Sequence, residues 1–172
     1  MKKLFVFDFD DTLAHSEVPI YVKMSNGTTI LLTPKEFGTY SLNSGDLFDF
    51  SEFNKIIRAA SPIEHNVQLL KYALSNPKNK VTILTARSLA FPVSYWLKTM
   101  LGLHVYVVAI GGSSPTLKSG YIEKEILKGY DDIFFIDDSV KNVQAVNDLK
   151  SKYPNIQIET IIAKKEKLEQ FN

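Results

Sequence analysis

The feature of this 172-residue sequence that most restricts its fold is a series of short apolar runs. The runs are largely continuous rather than alternating, and they are rich in Val, Ile and Phe. This pattern is typical of strands that are buried on both faces of a parallel sheet. The runs cover residues 3–9, 81–85, 105–110, 133–136 and 156–163. All of them are too short to cross a membrane as a helix, which takes roughly 20 apolar residues.

Segments with helical periodicity lie between most of these runs. They cover residues 63–74, 89–101, 120–127 and 140–149, and each is followed closely by Gly or Pro. Strands that alternate with helices predict βαβ units, and therefore a doubly wound, three-layer α/β fold with a parallel sheet. The length suits a single domain over residues 1–172. Residues 164–172 are expected to form a frayed helical end.

Residues 18–60 interrupt this alternation and form an insertion after the first strand. Asn26-Gly27 separates two β-prone runs and predicts a hairpin, and a short helix is expected to start at residues 33–36. An insertion at this point would lie above the ligand crevice of an open α/β sheet. We interpret it as a flap or small cap over a site, the alternative being a surface excursion without function. Its aromatic residues are expected to pack its core, with stacking on nucleic-acid bases as the alternative, and they are Phe37, Tyr40, Phe48, Phe50 and Phe53.

The overall charge and the absence of cysteine exclude several classes of protein. With 20 basic and 19 acidic residues the net charge is +1, which argues against a protein that coats nucleic acid but allows a local basic groove. Without cysteine there is no disulfide, thiolate nucleophile or zinc–thiolate site. Asp8 interrupts the first apolar run too early for a signal peptide. We expect a soluble, cytoplasmic protein, and the sequence gives no sign of a membrane or of an obligate protein partner.

Acidic residues follow two of the apolar runs directly. Asp8, Asp10 and Asp11 stand at the carboxyl end of the first run, Asp8 within it and the other two after it, and Asp137 and Asp138 follow the fourth run. Strand alternation places Asp8 and Asp10 on the same side. If the two strands are neighbours, four carboxylates (Asp8, Asp10, Asp137 and Asp138) meet at one sheet edge, where their repulsion calls for a cation. Carboxylate oxygens suit Mg²⁺, and a solvated acidic loop is the alternative for either motif alone.

Three further polar residues lie where parallel strands are expected to end. Thr85 ends the second run and is expected to open a helix, where it either binds phosphate or serves as an ordinary cap. Arg87 either faces a substrate or lies on the surface at the start of that helix. Lys118 is placed in a loop before a helix, where it either balances carboxylates and a phosphate or is a solvated lysine. His15 is expected to be solvated or packed in its loop, with contact to a leaving group as the alternative.

The order of these motifs resembles the haloacid dehalogenase superfamily, mainly its phosphatase branch. The matching stretches are residues 7–12, residues 83–87, Lys118 and residues 136–139. The stretch 83–87 and the segment from Lys118 onward are also similar to the 3′-phosphatase domain of polynucleotide kinases. The sequence contains no P-loop, so no kinase domain is expected within it.

The resemblance implies a role for each matching residue. Asp8 would be the nucleophile that forms an aspartyl-phosphate, and Asp10 the general acid and base. Thr85, with the adjacent Ala86 and Arg87, would bind the substrate. Lys118 would bind the phosphoryl group and neutralise Asp8.

The resemblance also implies Mg²⁺ as the cofactor. Asp8 and Asp138 would be direct ligands, and Asp10 would contribute its backbone carbonyl. Asp137 would act through water or by orienting Lys118. Asp11 occupies a position where many relatives carry Gly, and we interpret it as turn chemistry, since Asp accepts turn conformations.

The expected function is therefore Mg²⁺-dependent hydrolysis of a phosphomonoester, with a nucleotide or nucleic-acid end as the favoured substrate. A small metabolite or a phosphoprotein is the alternative substrate. The alternative functions are a phosphoacceptor domain like a response-regulator receiver, and an inactive binding module. Receivers carry their acidic pair after the first strand and the acceptor Asp after the third, so the motif order here, together with Asp10, favours the hydrolase.

Overall fold

The computed structural model describes residues 1–37 and 39–164. The strands are β1 (Lys3–Phe7), β2 (Ala14–Ser16), β3 (Ile20–Lys23), β4 (Thr29–Leu32), β5 (Leu47–Asp49), β6 (Ala60–Pro62), β7 (Lys80–Thr85), β8 (Tyr106–Ala109), β9 (Asp132–Asp137) and β10 (Gln157–Ile162). The helices are α1 (Pro34–Phe37), α2 (Glu64–Leu74), α3 (Phe91–Leu101), α4 (Pro115–Leu127), α5 (Val140–Asn147) and α6 (Leu149–Lys152), and Ser51–Asn54 form a 3₁₀ turn.

The five predicted apolar runs form one parallel sheet with the order β10-β9-β1-β7-β8. The chain moves from β1 to β7 and β8 on one side, and then crosses back to β9 and β10 on the other side. The strand order therefore reverses at β1, which places a ligand crevice outside the carboxyl ends of β1 and its neighbours.

Helices cover both faces of this sheet, as the continuous apolar runs predict. Phe5 and Phe7 belong to a buried cluster with residues of α2 and α3, including Leu70 and Trp96. The intervening Leu4 and Val6 belong to a second cluster with residues of α4 and α5, including Ile122 and Val146. The doubly wound, three-layer α/β prediction is confirmed at this level.

Two predicted helix starts are wrong, and each error changes the local structure expected around a candidate site residue. Helix α4 begins at Pro115, a residue that suits a first helical position because it has no N–H to satisfy. Lys118 therefore lies within this helix rather than in the loop before it. Helix α3 begins only at Phe91, so Thr85 ends a strand without opening a helix, and residues 86–90 form bends between them.

The insertion is an antiparallel β-unit with its own aromatic packing. The predicted hairpin is confirmed by the pairing of β3 with β4, and β5 pairs with the other edge of β3. The expected short helix is α1. The five aromatic residues contact one another, with ring centroids of neighbouring pairs 5.0–6.4 Å apart. None of them is fully buried and Phe50 is 48% exposed, so the expectation of core packing is met only in their mutual contacts. Stacking on bases stays a prediction.

Strands β2 and β6 form a separate two-stranded sheet and bring the two ends of the insertion together. His15 is opposite Ser61 in this pairing. The chain thus leaves the core and returns to it at one place, close to the carboxyl end of β1.

The expectation of a frayed helix at residues 164–172 lies outside the described residues, apart from Lys164, which is not helical. Of the helices in the described ranges, none combines the length and the apolar character of a membrane span.

Candidate active site

The register of the parallel sheet brings the two acidic motifs together. Phe7, the last residue of β1, is level with Ile83 of β7 and Ile136 of β9. The backbone N–H of Asp8 donates to the Ile136 carbonyl at 3.0 Å, so Asp8 and Asp137 follow side by side. The expectation that the two acidic strands are neighbours is confirmed.

Three carboxylates meet at this edge. Oxygens of Asp8, Asp137 and Asp138 all lie within 4.8 Å of one another. The Asp8 and Asp137 residues are only 6% and 1% exposed. Within the described ranges, the fourth expected carboxylate, Asp10, does not belong to this group.

Burial shifts the pKa values of two of the three carboxyl groups. Burial raises the pKa of Asp8 well above its ordinary value, against the attraction of the Lys118 ammonium. Burial also raises the pKa of Asp138 to about 6, and the nearby Asp137 carboxylate adds to this shift. Two carboxyl groups thus resist ionisation at a site with only oxygen donors, and a hard divalent cation such as Mg²⁺ fits this donor set.

Lys118 bridges two members of the group. Its Nζ donates to Asp8 Oδ1 at 2.7 Å and to Asp137 Oδ2 at 2.8 Å. The residue is 2% exposed. Burial lowers the pKa of Lys118, but the two carboxylates outweigh this effect and raise the pKa above its ordinary value. The side chain is therefore a fixed positive charge beside Asp8, and the alternative of a solvated surface lysine is wrong.

Hydrogen bonds occupy both oxygens of Asp137. Besides Lys118, the Asn142 Nδ2 donates to Oδ2 at 3.0 Å, and the backbone N–H of Ser139 donates to Oδ1 at 2.9 Å. Asn142 lies in the first turn of α5, whose start is capped by the Ser139 side chain. These contacts agree with a role for Asp137 in orienting Lys118.

Thr12 connects the two acidic motifs and was not among the predicted site residues. Its hydroxyl donates to Asp8 Oδ2 at 2.8 Å and accepts from the backbone N–H of Asp138 at 3.1 Å. Its only signal in the sequence is its place in the motif Asp8-Phe9-Asp10-Asp11-Thr12, where it resembles a cap residue. Asn142 carried no signal at all.

Asp10 is held by Arg87 rather than by the carboxylate group. The guanidinium binds both carboxylate oxygens, with Nε at 2.8 Å from Oδ2 and Nη2 at 2.6 Å from Oδ1. Ser16 Oγ donates to Oδ1 at 2.8 Å. Arg87 is 5% exposed, so the alternative that it lies on the surface is wrong, and contact with a substrate stays a prediction.

The remaining predicted residues are placed as follows. Thr85 is buried at the end of β7, and its Oγ1 accepts from the Arg87 backbone N–H at 3.2 Å, which leaves the hydroxyl proton for another acceptor. Ala86 is exposed. Asp11 has φ 60°, the left-handed region, and this confirms its interpretation as a turn residue. His15 is exposed as expected, and its Nδ1 lies 2.9 Å from Asp11 Oδ1.

Comparison with known proteins adds no assignment to this geometry. The chain matches no protein-family model. No curated protein matches its sequence. The functional assignment therefore depends on the site itself and on the motifs that form it.

Proposed function

We propose that the protein is a Mg²⁺-dependent phosphomonoester hydrolase of the haloacid dehalogenase type, with an aspartyl-phosphate intermediate on Asp8. The observation that carries the proposal is the placement of Asp8. Its buried carboxylate is bonded to Lys118 and Thr12 and lies within a group of three carboxylates. A solvated acidic loop has no need for a buried lysine between its carboxylates.

The first step transfers the phosphoryl group to Asp8. A carboxylate oxygen of Asp8 attacks phosphorus, and the bond from phosphorus to the ester oxygen breaks. Asp10 donates its proton to the departing alkoxide. Lys118 lowers the repulsion between two anions, and Thr12 fixes the orientation of the nucleophile.

The second step hydrolyses the aspartyl-phosphate and regenerates the free Asp8 carboxylate. Asp10, now a carboxylate, accepts a proton from water, and the water oxygen attacks phosphorus. The bond from phosphorus to Asp8 breaks, and inorganic phosphate leaves. The Thr85 hydroxyl donates a hydrogen bond to a phosphoryl oxygen in both steps.

Asp8 and Asp138 are the residues we assign to the metal, together with the backbone carbonyl of Asp10. Within the described residues no basic side chain pairs with Asp138, whereas hydrogen bonds occupy both oxygens of Asp137. Bound Mg²⁺ would offset the charge of the phosphoryl group and favour in-line attack.

We assign the substrate to the class of nucleotides and nucleic-acid ends. The support is the similarity of residues 83–87 and of the segment from Lys118 to polynucleotide 3′-phosphatase domains. A small β-insertion leaves more room for such a substrate than a large cap domain would.

The test is phosphate release from a panel of substrates, with Mg²⁺ and with EDTA. The panel holds an aryl phosphate, 5′- and 3′-mononucleotides, a 3′-phosphorylated oligonucleotide and a phosphopeptide. We expect Mg²⁺-dependent release, fastest from the 3′-phosphorylated oligonucleotide. Preference for the phosphopeptide would contradict the substrate class, and the absence of release from every member would contradict the hydrolase.

A further inference from the structure

A long segment of the chain contains no acidic residue. The chain has 19 Asp and Glu residues, but none of them lies within residues 65–122. This acid-free segment runs from the second residue of α2 through β7, α3 and β8 into α4. Its basic residues are Lys71, Lys78, Lys80, Arg87, Lys98 and Lys118. The β7–β8 side of the molecule therefore has an excess of positive charge that the net charge of +1 does not reveal.

Half of these basic residues have no internal counter-charge. Carboxylates from outside the segment form ion pairs with three of them, which are Lys80, Arg87 and Lys118. The other three have no acidic partner among the described residues, and they are Lys71, Lys78 and Lys98. Lys98 belongs to the last turn of α3, a helix without any acidic residue. Its charge is available to an anionic ligand.

Helix α3 lies directly beside the first acidic motif. Phe9 stands between Asp8 and Asp10, and its ring meets the buried Trp96 ring of α3 edge-on at 5.5 Å. Because α3 follows the carboxyl end of β7, it begins at the edge of the sheet that carries the candidate site. Phe91, the first residue of α3, precedes Trp96 by about 7.5 Å along the helix axis. Phe91 therefore lies farther than Phe9 toward the solvent side of the site.

The outer face of α3 presents two aromatic rings and a lysine to solvent. Phe91 is 62% exposed and Tyr95 is 40% exposed, and their ring centroids are 5.6 Å apart. Lys98 is exposed one turn later. Residues three and four apart share one face of a helix, so Phe91, Tyr95 and Lys98 form a single row, which we call the outer row of α3. Two large rings exposed side by side favour a binding role more than a single exposed ring would.

We propose that the outer row of α3 binds the single-stranded nucleotides that precede the terminal nucleotide of the substrate. The inference rests on the proposed function, because it places the terminal phosphate at Asp8. The preceding bases stack on Phe91 and Tyr95, and a phosphate of the strand contacts Lys98. The row thus begins beside the site and leads away from it along the helix.

The chemistry of the row favours a single strand of nucleic acid over other anionic partners. Aromatic side chains that alternate with basic ones suit unpaired bases, because every base offers a face for stacking while its phosphates seek positive charge. In a duplex the bases already stack on one another and their faces are closed to side chains. An acidic peptide would use Lys98 but would have no general need for the two rings.

The first test measures binding without hydrolysis. A fluorescein-labelled octathymidylate without a 3′-phosphate is titrated with the protein in EDTA, and fluorescence anisotropy gives Kd. We expect Phe91→Leu and Tyr95→Leu each to raise Kd about tenfold, because leucine keeps an apolar side chain but offers no ring for stacking. Equal affinity for the duplex form of the same oligonucleotide would overturn the proposal.

Tyr106→Leu is the matched control for the two rings. Tyr106 is an exposed tyrosine of the same acid-free segment. The next residue, Val107, packs against the buried cluster that contains residues of α3, so strand alternation directs Tyr106 to the other face of the sheet. We expect wild-type affinity from Tyr106→Leu, and a loss as large as that of Phe91→Leu would overturn the assignment to α3.

Salt dependence tests the contact of Lys98 with a phosphate. Lys98→Gln should reduce the slope of log Kd against log salt concentration by about 0.7, the contribution of one phosphate contact on a single strand. Lys124→Gln is its control, since Lys124 is also exposed, lies in the last turn of a helix and has no acidic partner among the described residues, but belongs to α4 on the other face of the sheet. Equal slopes for Lys98→Gln and wild type would remove Lys98 from the surface.

The second test uses hydrolysis. We expect KM of the wild type to be about tenfold lower for 3′-phosphorylated octathymidylate than for thymidine 3′-phosphate, and this ratio to fall below about threefold in Phe91→Leu. Tyr106→Leu should keep the ratio of the wild type. A larger effect of Phe91→Leu on a phosphopeptide than on the oligonucleotide would overturn the assignment to nucleic acid.

The two tests separate this inference from the proposed function. If wild type binds octathymidylate and the α3 variants weaken the binding, but no ester releases phosphate, the hydrolase fails while the nucleic-acid surface stands. If phosphate is released but Phe91→Leu and Tyr95→Leu bind the oligonucleotide like wild type, the surface fails while the hydrolase stands.

Discussion

At the scale of single residues, the site depends on how buried carboxylates are neutralised. Asp8 has Lys118 on one oxygen and Thr12 on the other. Neither contact removes the desolvation that raises the pKa of Asp8. A carboxylate kept in this position at the expense of stability is typical of a functional site.

Replacing the nucleophile tests this interpretation directly. We expect Asp8→Asn to abolish phosphate release, because an amide oxygen is a poor nucleophile and carries no charge. The protein should stay folded, since the amide still accepts from Thr12 and Lys118 keeps its bond to Asp137. Phosphate release by the purified variant, with circular dichroism as a check on folding, measures both expectations. Activity within about tenfold of wild type would remove Asp8 from the role of nucleophile.

The buried ion pair of Lys118 gives a second prediction at this scale. Asp137→Ala leaves the Lys118 ammonium with one partner fewer and also removes the acceptor of Asn142. We expect the free energy of unfolding to fall by about 3 kcal/mol, because removing one partner of a buried ion pair leaves the other charge buried with less compensation. Urea unfolding in EDTA measures this loss without a contribution from metal.

Asp132 is the matched control for Asp137. It begins the strand that Asp137 ends, and its pair with Lys3 is 3.6 Å long, with the lysine side chain half exposed. Asp132→Ala should lower the free energy of unfolding by less than about 1 kcal/mol. Equal losses in the free energy of unfolding would contradict the prediction that the buried ion pair contributes more to stability than the exposed one.

The sequence predicted the chemistry of the site better than its hydrogen bonds. Asp8, Asp137 and Lys118 stand in motifs whose order is informative, and they meet as expected. Asn142 and Ser16 are small polar residues without a pattern, and their roles depend on the register of neighbouring elements. For Arg87 the sequence left burial and exposure open, because its contacts include Phe53, which is distant in the sequence.

At the scale of secondary structure, the strands were predictable because burial on both faces leaves continuous apolar runs. The start of α4 was not, since residues 115–119 carry little apolar periodicity and only Pro115 marks the first turn. The bends between Thr85 and α3 were not predicted for a similar reason, because bends leave no periodic pattern in a sequence. Both errors fall at the carboxyl end of the sheet, where loops serve the site rather than the core.

The start of α5 gives the prediction at this scale. Ser139 Oγ accepts from the Asn142 backbone N–H at 3.2 Å, and this cap fixes the turn that directs Asn142 toward Asp137. Ser139→Ala should lower the free energy of unfolding by about 1 kcal/mol, whereas Ser139→Thr should stay within a few tenths of wild type because it keeps the hydroxyl. The urea midpoint measures both, and an unchanged midpoint for Ser139→Ala would contradict the capping role.

At the scale of the whole molecule, the charge is nearly balanced but unevenly distributed. The net charge is +1, yet three carboxylates converge on one edge of the sheet with a single buried lysine. The parallel topology produces this concentration, because it directs the carboxyl ends of β1 and β9 to the same edge. Stability should therefore depend jointly on pH and on a divalent cation.

The pH dependence follows from Asp138. Its pKa is about 6 in the folded protein, and burial is the main cause of the rise from an ordinary value of 3.8. Without metal, the folded state therefore favours the protonated group, and its contribution to stability, complete below pH 3.8, is lost as the pH rises through about 6. Burial raises the pKa of Asp8 in the same direction.

Mg²⁺ should reverse this dependence, because it binds the ionised carboxylates. At pH 8 and about 100 times its Kd, Mg²⁺ should stabilise the protein by about 2.7 kcal/mol, which raises the melting temperature by roughly 5–10 °C for a chain of this size. At pH 5 the increase should largely disappear, since protons then compete for Asp138. Thermal melts with Mg²⁺ and with EDTA at both values measure the effect, with Asp138→Asn as the variant that should lose it. An increase at pH 5 as large as that at pH 8 would show that the cation binds elsewhere.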